Sequence, residues 1–352
     1  MFISANRTPY LAEGFTSIDK TCVKSFVVVV RATYDVDADG NCGVSDRQSP
    51  FVYADIHYGD PATTSVQAES DFVPFKPRAE ILLDAVAMVP GRATAERLEV
   101  ALLGPSLHKR ALVTGERRWF RGALGLRSTR PIAFSTLPLA WHLSFGGTDD
   151  TCGDEARTRS EPRNPVGRGF QVNSSPEAIE GRLLPSIEPP SSLMTRWDDR
   201  PEPIGFGPVP RFAAVRARYT GTYDEHWMAD VLPFLPSDFN EHYFQAAPPD
   251  QQLDTLAEGI TFACLNMNQT GTFRVRLPRL SVPVSFMFDD RIRAVDVAAD
   301  TLILEPHENR VVLVGRARAP LPRKFTRLRE VTVGTRQFPP AARTRHAGAV
   351  GA

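Results

Sequence analysis

The sequence is poor in the residues that usually announce chemistry. Its 352 residues hold four cysteines, Cys22, Cys42, Cys152 and Cys264, far apart and without a Cys-x-x-Cys pair. That spacing disfavours a zinc site or a redox motif and points to reduced, structural thiols. Neither sign of charge is in excess: Lys+Arg and Asp+Glu are both 41, so no global field draws in nucleic acid or an anionic membrane. No stretch approaches the roughly 18 apolar residues of a spanning helix. The opening Met1-Phe-Ile-Ser-Ala-Asn-Arg-Thr-Pro9 lacks the basic segment and apolar run of a signal peptide. These absences predict a cytoplasmic protein, in which the Asn-x-Ser/Thr sequences at Asn6, Asn173 and Asn268 are chance matches.

Catalytic motifs are also missing. His142-Leu-Ser-Phe-Gly146 comes nearest to a nucleophile elbow, but His142 stands where the strained turn needs glycine, so Ser144 reads as the end of a strand. Asp149, Asp150 and Asp154 lack calcium-loop spacing and the distal Glu, so they read as a solvated loop. Pro162-Arg-Asn-Pro-Val-Gly-Arg-Gly-Phe170 sets two arginines among glycines and prolines as a phosphate loop would. It has no Gly-x-x-x-x-Gly-Lys pattern and no following helix, so an irregular turn pinned by hydrogen bonds fits better. No cofactor motif, metal-ligand cluster or internal repeat is visible.

What the chain has is proline and β pattern. Thirty prolines against 23% charged residues predict many turns and extended segments. A chain of this length buries roughly 75% of its unfolded surface, enough for one large domain or two ordinary ones. Val23 to Tyr34 is a β-branched run suited to a strand buried on both faces, ending in a turn at Asp37-Ala-Asp-Gly40 and a hairpin into Val44. Strand-like segments follow at Glu80 to Val89, Arg97 to Leu103 and Lys109 to Val113. Phe273-Arg-Val-Arg-Leu277 alternates apolar and basic residues. Thr301 to Glu305 and Arg310 to Val314 read as a hairpin, and Val331-Thr-Val333 as a last strand. Helical periodicity over roughly 10–15 residues is absent between strands, which argues against a parallel βαβ sheet. The expected fold is mainly β, with antiparallel sandwich-like sheets, few short helices and a long loop-rich insertion of proline, glycine and aromatic residues. One domain is expected over 1–330, with N-terminal strands in 20–135, a loop-rich centre in 136–260 and C-terminal strands in 261–330. A basic tail, 331–352, continues the basic run that opens at Arg323, Lys324, Arg327 and Arg329, carries Arg336, Arg343 and Arg345, and frays beyond Pro340.

The insertion is the most unusual stretch. From Pro201 to Gln252, Phe206, Tyr219, Tyr223, Trp227, Phe234, Phe239, Tyr243 and Phe244 alternate with prolines and glycines, so large apolar side chains hang on a backbone that cannot settle into one long helix or central strand. Such a segment is an ordered loop packed over something. One short helix is expected within Ser237 to Ala247, stopped by Pro248-Pro249.

Several blocks together resemble one family: Gly59-Asp-Pro61, Arg163-Asn-Pro-Val-Gly-Arg-Gly-Phe170, Gly205-Phe-Gly-Pro208, Gly221-Thr-Tyr-Asp-Glu-His-Trp227 and Phe244-Gln-Ala-Ala-Pro-Pro-Asp-Gln251. Over about residues 20–320 the chain is similar to a bacterial domain-of-unknown-function family encoded in type VI secretion gene clusters beside VgrG spike and PAAR tip genes. The resemblance implies a cytoplasmic, non-enzymatic adaptor or chaperone-like protein. Its partners would be an effector toxin and a PAAR or VgrG component, with no catalytic residues, no cofactor, no metal, no nucleic acid and no membrane. Candidate partner-binding or loop-scaffold residues are Phe206, Tyr223, Asp224, Trp227, Asp238, Phe239, Phe244, Gln245 and Asp250, with Tyr223, Trp227 and Phe239 as exposed anchors. The alternative is a hydrolase or carbohydrate-active enzyme using the carboxylates Asp224, Asp238 or Asp250. A third reading is a structural component that leaves with the secreted spike.

Overall fold

The β-branched run near the N-terminus forms the centre of the molecule. The computed structural model describes residues 3–123, 125–321 and 327–336. In it the strand Lys24–Val36 is flanked on both sides by antiparallel neighbours, Leu11–Ile18 and Arg310–Pro320. Val28, Val30 and Ala32 point into the main core, while Val29 packs on the opposite face with Val312 and Val314 beneath Phe15, Phe51 and Phe72. A strand covered on both faces needs an unbroken apolar run, and that is why the valines do not alternate with polar residues.

Beyond Arg310–Pro320 the sheet continues through Ile292–Glu305, Ser281–Phe288, Leu328–Val333 and the short Ala5–Asn6, and it counts ten strands with its side pairings among the described residues. A second sheet of five strands runs Ile187–Glu188, Leu107–Thr114, Arg97–Gly104, Thr261–Leu265 and Thr272–Arg276. Val100, Leu102, Val113, Phe262 and Val275 of this sheet join Val28, Val30 and Leu302 of the first in one core, the face-to-face packing of a sandwich. In Thr272–Arg276 only Phe273 and Val275 are buried, the alternation that the sequence predicts. The turn at Asp37 to Gly40 also forms, with Gly40 at a φ of +87° and Tyr34 paired with Val44.

The structure departs from the expected pattern in three places. Ala79–Leu83 joins the large sheet in parallel, pairing with Thr301 to Leu304. The long Ile292–Glu305 strand pairs Ser281–Phe288 along its first half and Ala79–Leu83 along its second, and its register with Arg310–Pro320 shifts between Ala299 and Thr301. The short helix expected within Ser237 to Ala247 is a single 3₁₀ turn, Glu241–Phe244, capped by the Asn240 side chain, which accepts from the His242 N–H at 3.0 Å. Finally, a tail starting at 331 would cut a strand: Leu328–Val333 pairs antiparallel with Ser281–Phe288 and parallel with Ala5–Asn6. Arg329 and Arg336 form ion pairs with Asp289 and Asp296. The Arg327 N–H donates to Asp289 at 2.8 Å, whereas Arg323, Lys324, Arg343 and Arg345, and the fraying expected beyond Pro340, lie outside the described residues. Among the described residues no helix is long and apolar enough to cross a membrane.

Candidate functional site

Both ends of the aromatic insertion are tied to the strand Ala79–Leu83. At its start Gly205 passes over the Trp141 indole so closely that a Cβ there would lie 2.4 Å from the ring. The indole Nε1 donates to the Gly207 carbonyl at 3.0 Å. Phe206, next in line, is fully buried, and its carbonyl accepts from the Leu83 N–H at 3.1 Å. At the far end Gln252 and Leu253 pair antiparallel with Glu80 and Ala79.

Glu80 holds the closure together. It has no solvent exposure, and its carboxylate accepts from the Gln245 side-chain amide at 2.8 Å and from the N–H groups of Ala246 and Ala247 at 2.8 and 3.1 Å. Lys76 supplies the counter-charge. Gln245 in turn accepts from the Arg78 N–H at 2.9 Å. A buried charge must be paired and hydrogen-bonded, and every contact here comes from the insertion or its base.

Lys109 makes a second tie. Its Nζ donates to Asp250 at 3.0 Å and to the Gln251 side chain at 2.8 Å, and lies 5.3 Å from the Phe206 ring centre. Gln251 passes the contact on by donating to the carbonyls of Ile81 and Phe206 at 2.7 and 2.8 Å. Burial pushes the Lys109 ammonium down to about 8, with Asp250 opposing. The unfolded lysine keeps its proton up to about 10.4. Between those values the unfolded chain binds more protons than the folded one, so this group makes stability rise with pH across that window; below pH 8 its penalty is fully present. The unfolding free energy of wild type minus that of Lys109→Met is therefore expected to rise by about 2.5 kcal/mol from the lower to the upper end of the window. Urea unfolding at both ends checks it, and a difference that stays flat contradicts the buried charge.

Arg216 pins the middle of the insertion. It is buried, and reaches Glu69 with both terminal nitrogens, at 3.0 and 2.9 Å, and the carbonyls of Val209 and Tyr243 at 2.8 and 2.9 Å. Beyond it the chain rises into a lobe, residues 222–235. Asp238 closes the neck of this lobe: its Oδ1 accepts from the Thr222 N–H at 3.0 Å and its Oδ2 from the Thr222 hydroxyl at 2.8 Å. Those two contacts hold its carboxyl below the usual range. Gly221, at a φ of +81°, is required at the same point, because a Cβ would sit 2.8 Å from the Asp238 carboxylate. Inside the lobe Asp224 accepts from the Trp227 N–H at 2.8 Å, and the Trp227 indole donates to the Phe234 carbonyl at 2.9 Å.

The candidate residues thus divide by task. Phe206 and Gln245 are buried scaffold; Asp224, Asp238 and Asp250 hold backbone groups or Lys109. Tyr223 is exposed and meets the half-buried Trp227 edge-on, 4.7 Å between ring centres. Phe239, expected as an exposed anchor, is buried: it packs with Tyr243 and the half-buried Phe244, and its carbonyl accepts from Lys20 at 2.7 Å. On the lobe the exposed large apolar side chains are Tyr223, Met228, Leu232 and Phe234, at 52%, 66%, 56% and 39% of their full area. Beside the lobe, a groove of about 400 Å³ runs between the outer face of the large sheet, at Phe15, Ser25 and Arg318, and Leu235, Phe239 and Phe244.

Sequence reasoning missed Glu80, Lys109 and Arg216. A signal existed for the first two: Glu80 interrupts the apolar Ala79-Glu-Ile-Leu-Leu83, and Lys109 falls on the same alternation as Leu107, Ala111 and Val113. A charge on a buried face announces a partner. Ser144 is fully buried and its hydroxyl accepts from the Ile204 N–H at 2.9 Å. Asp149 accepts from the N–H groups of Val172 and Asn173 at 2.7 and 2.8 Å. Burial opposes its ionisation, but the Asn173 N–H and the Thr151 hydroxyl lead the contacts that bring it to about 2. Among the described residues no group of three or more His, Cys, Asp or Glu is placed to hold a metal ion.

Residues 22–316 match a family described as an uncharacterized protein conserved in bacteria, DUF2169. The chain belongs to the DUF2169 family. The match takes in both ties to Ala79–Leu83 and the lobe, while the groove also draws on Phe15 and Arg318, which lie outside it. No curated protein and no solved structure matches the chain.

Proposed function

We propose that this DUF2169 protein is a non-enzymatic adaptor that captures a protein partner on the 222–235 lobe and the groove beside it. The observation that carries the reading is the set of four exposed apolar side chains, Tyr223, Met228, Leu232 and Phe234, on a lobe whose base is clamped by Asp238 and whose interior is tied by Asp224 and Trp227. Exposed apolar groups gathered on one ordered feature mark interaction surfaces, and an ordered lobe loses little conformational entropy on docking. The partner class we assign follows the resemblance to proteins of type VI secretion clusters: an effector toxin, a PAAR tip or a VgrG spike component, met in the cytoplasm before secretion. The carboxylates that a hydrolase would need are engaged elsewhere, Asp224 as a cap, Asp238 as a clamp and Asp250 on Lys109, which favours the adaptor over the enzyme.

The test is purification of the tagged protein from its own host and mass spectrometry of what co-elutes in fixed ratio. Co-elution of an effector, tip or spike chain is expected. Leu232→Asp combined with Phe234→Ser should lower that recovery at least tenfold without moving the unfolding midpoint, since both side chains are exposed. Unchanged recovery in the double variant would remove the lobe from the interface.

A further inference from the structure

Away from the lobe, the Pro162–Phe170 run builds a cavity of its own. Arg168 and Gly169 pair in parallel with Phe145 and Gly146. A Cβ on Gly146 would lie 2.0 Å from the Asn164 carbonyl oxygen, and one on Gly147 2.4 Å from that of Gly167, so only glycine lets these chains cross. The crossing leaves bare backbone along one wall of a cavity of about 280 Å³. Trp119 and Phe170 give it apolar surface, three arginines line it, Arg118, Arg168 and Arg182, and no carboxylate does.

Two of these arginines are balanced from behind. Arg118 pairs with Glu116 at 2.9 Å and Arg182 with Asp150 at 3.3 Å. Arg168 is different. Its Nη2 donates to the Ser186 hydroxyl at 2.5 Å, its Nε is buried without a partner, and among the described residues no Asp or Glu reaches ion-pair distance. Burial, with a lesser push from Arg117 and Arg118 against the pull of Glu116, brings the guanidinium down to about 10. A half-buried guanidinium whose Nε is buried without a partner, and which has no carboxylate at ion-pair distance among the described residues, is penalised by desolvation. An anion entering the cavity would remove that cost, and a planar guanidinium fork matches the paired oxygens of phosphate or carboxylate.

We propose that this cavity is a binding site for a small oxyanion, a phosphate or carboxylate group held by Arg168, with the apolar remainder of the ligand against Trp119 and Phe170. The site is independent of the adaptor reading and uses none of its residues. Its test is calorimetric titration of the full-length protein at low salt with phenyl phosphate, inorganic phosphate and benzoate. Phenyl phosphate, benzoate or both are expected to bind, and which of them binds distinguishes the two anion classes. Arg168→Gln should weaken binding about tenfold or more, Arg168→Lys should recover part of the loss, and Arg182→Gln should weaken it about threefold. Arg196→Gln, at an exposed arginine outside the cavity, should leave binding unchanged. Arg182 is half-exposed, so its variant carries the test should Arg168→Gln fail to fold. Failure of all three probes to bind, equal affinity in the folded cavity variants and wild type, or an equal loss in Arg196→Gln would overturn the site.

Discussion

Glu80→Ala is expected to destabilise the protein by about 3–5 kcal/mol, among the largest effects of any single substitution in the chain. The variant leaves Lys76 buried without its anion, and removes the acceptor shared by the Gln245 side chain and the N–H groups of Ala246 and Ala247. Each donor left unpaired in the interior adds a desolvation cost of about 1–3 kcal/mol, though these do not add fully. The loss should be seen in urea unfolding followed by tryptophan fluorescence. The variant pair Lys76→Met with Glu80→Leu separates two accounts. If the uncompensated lysine dominates, the pair is less destabilised than Glu80→Ala alone. If the three donors dominate, the pair is as unstable as the single variant. A fully stable Glu80→Ala would mean that the insertion does not depend on this carboxylate for its closure.

Phe206→Ala should cost about 3–5 kcal/mol as well, the range for removing a fully buried phenylalanine. The ring has no exposure and lies in the main core, 5.3 Å from the Lys109 ammonium. Its loss opens a cavity and removes the aromatic face beside a charge already penalised by burial. Phe206→Leu keeps most of the volume and should cost less than half as much. Unfolding of the two variants side by side gives the ratio. Equal costs would show that the aromatic face, not the volume, is what matters at this position.

The parts of the fold legible in the sequence are those whose partners can be inferred from local pattern. The Val27–Val30 run, the alternation of exposed and buried residues in Thr272–Arg276 and the hairpin around Pro306 are properties of neighbouring residues, and each appears where its period places it. The parallel docking of Ala79–Leu83 is a property of the whole chain: its partner, Thr301 to Leu304, lies more than two hundred positions away, and no local period encodes it. The aromatic insertion shows the same division. That it is ordered follows from its aromatic content, but which aromatics face inward does not. Phe234 follows Pro233 and Phe239 lies three residues after Pro236; packing on Tyr243 and Phe244 covers the Phe239 ring while Phe234 stays exposed. Arg168 is legible as a basic residue in a glycine-rich turn; that Glu116, the carboxylate acting on it from a distance, is bound to Arg118 is a property of the fold.

The insertion leaves the strand Ala79–Leu83 beside Leu83 and returns to it beside Glu80. Its two ends therefore meet on one rigid rod, whatever happens between them. Changing the length of a loop closed in this way is thermodynamically cheap, about 0.6 kcal/mol for each doubling. The lobe at its far end, closed by its own Thr222–Asp238 clasp, is mounted like a tool in a chuck. Different tips could be fitted to the same β body, and the body would fold alike beneath each of them.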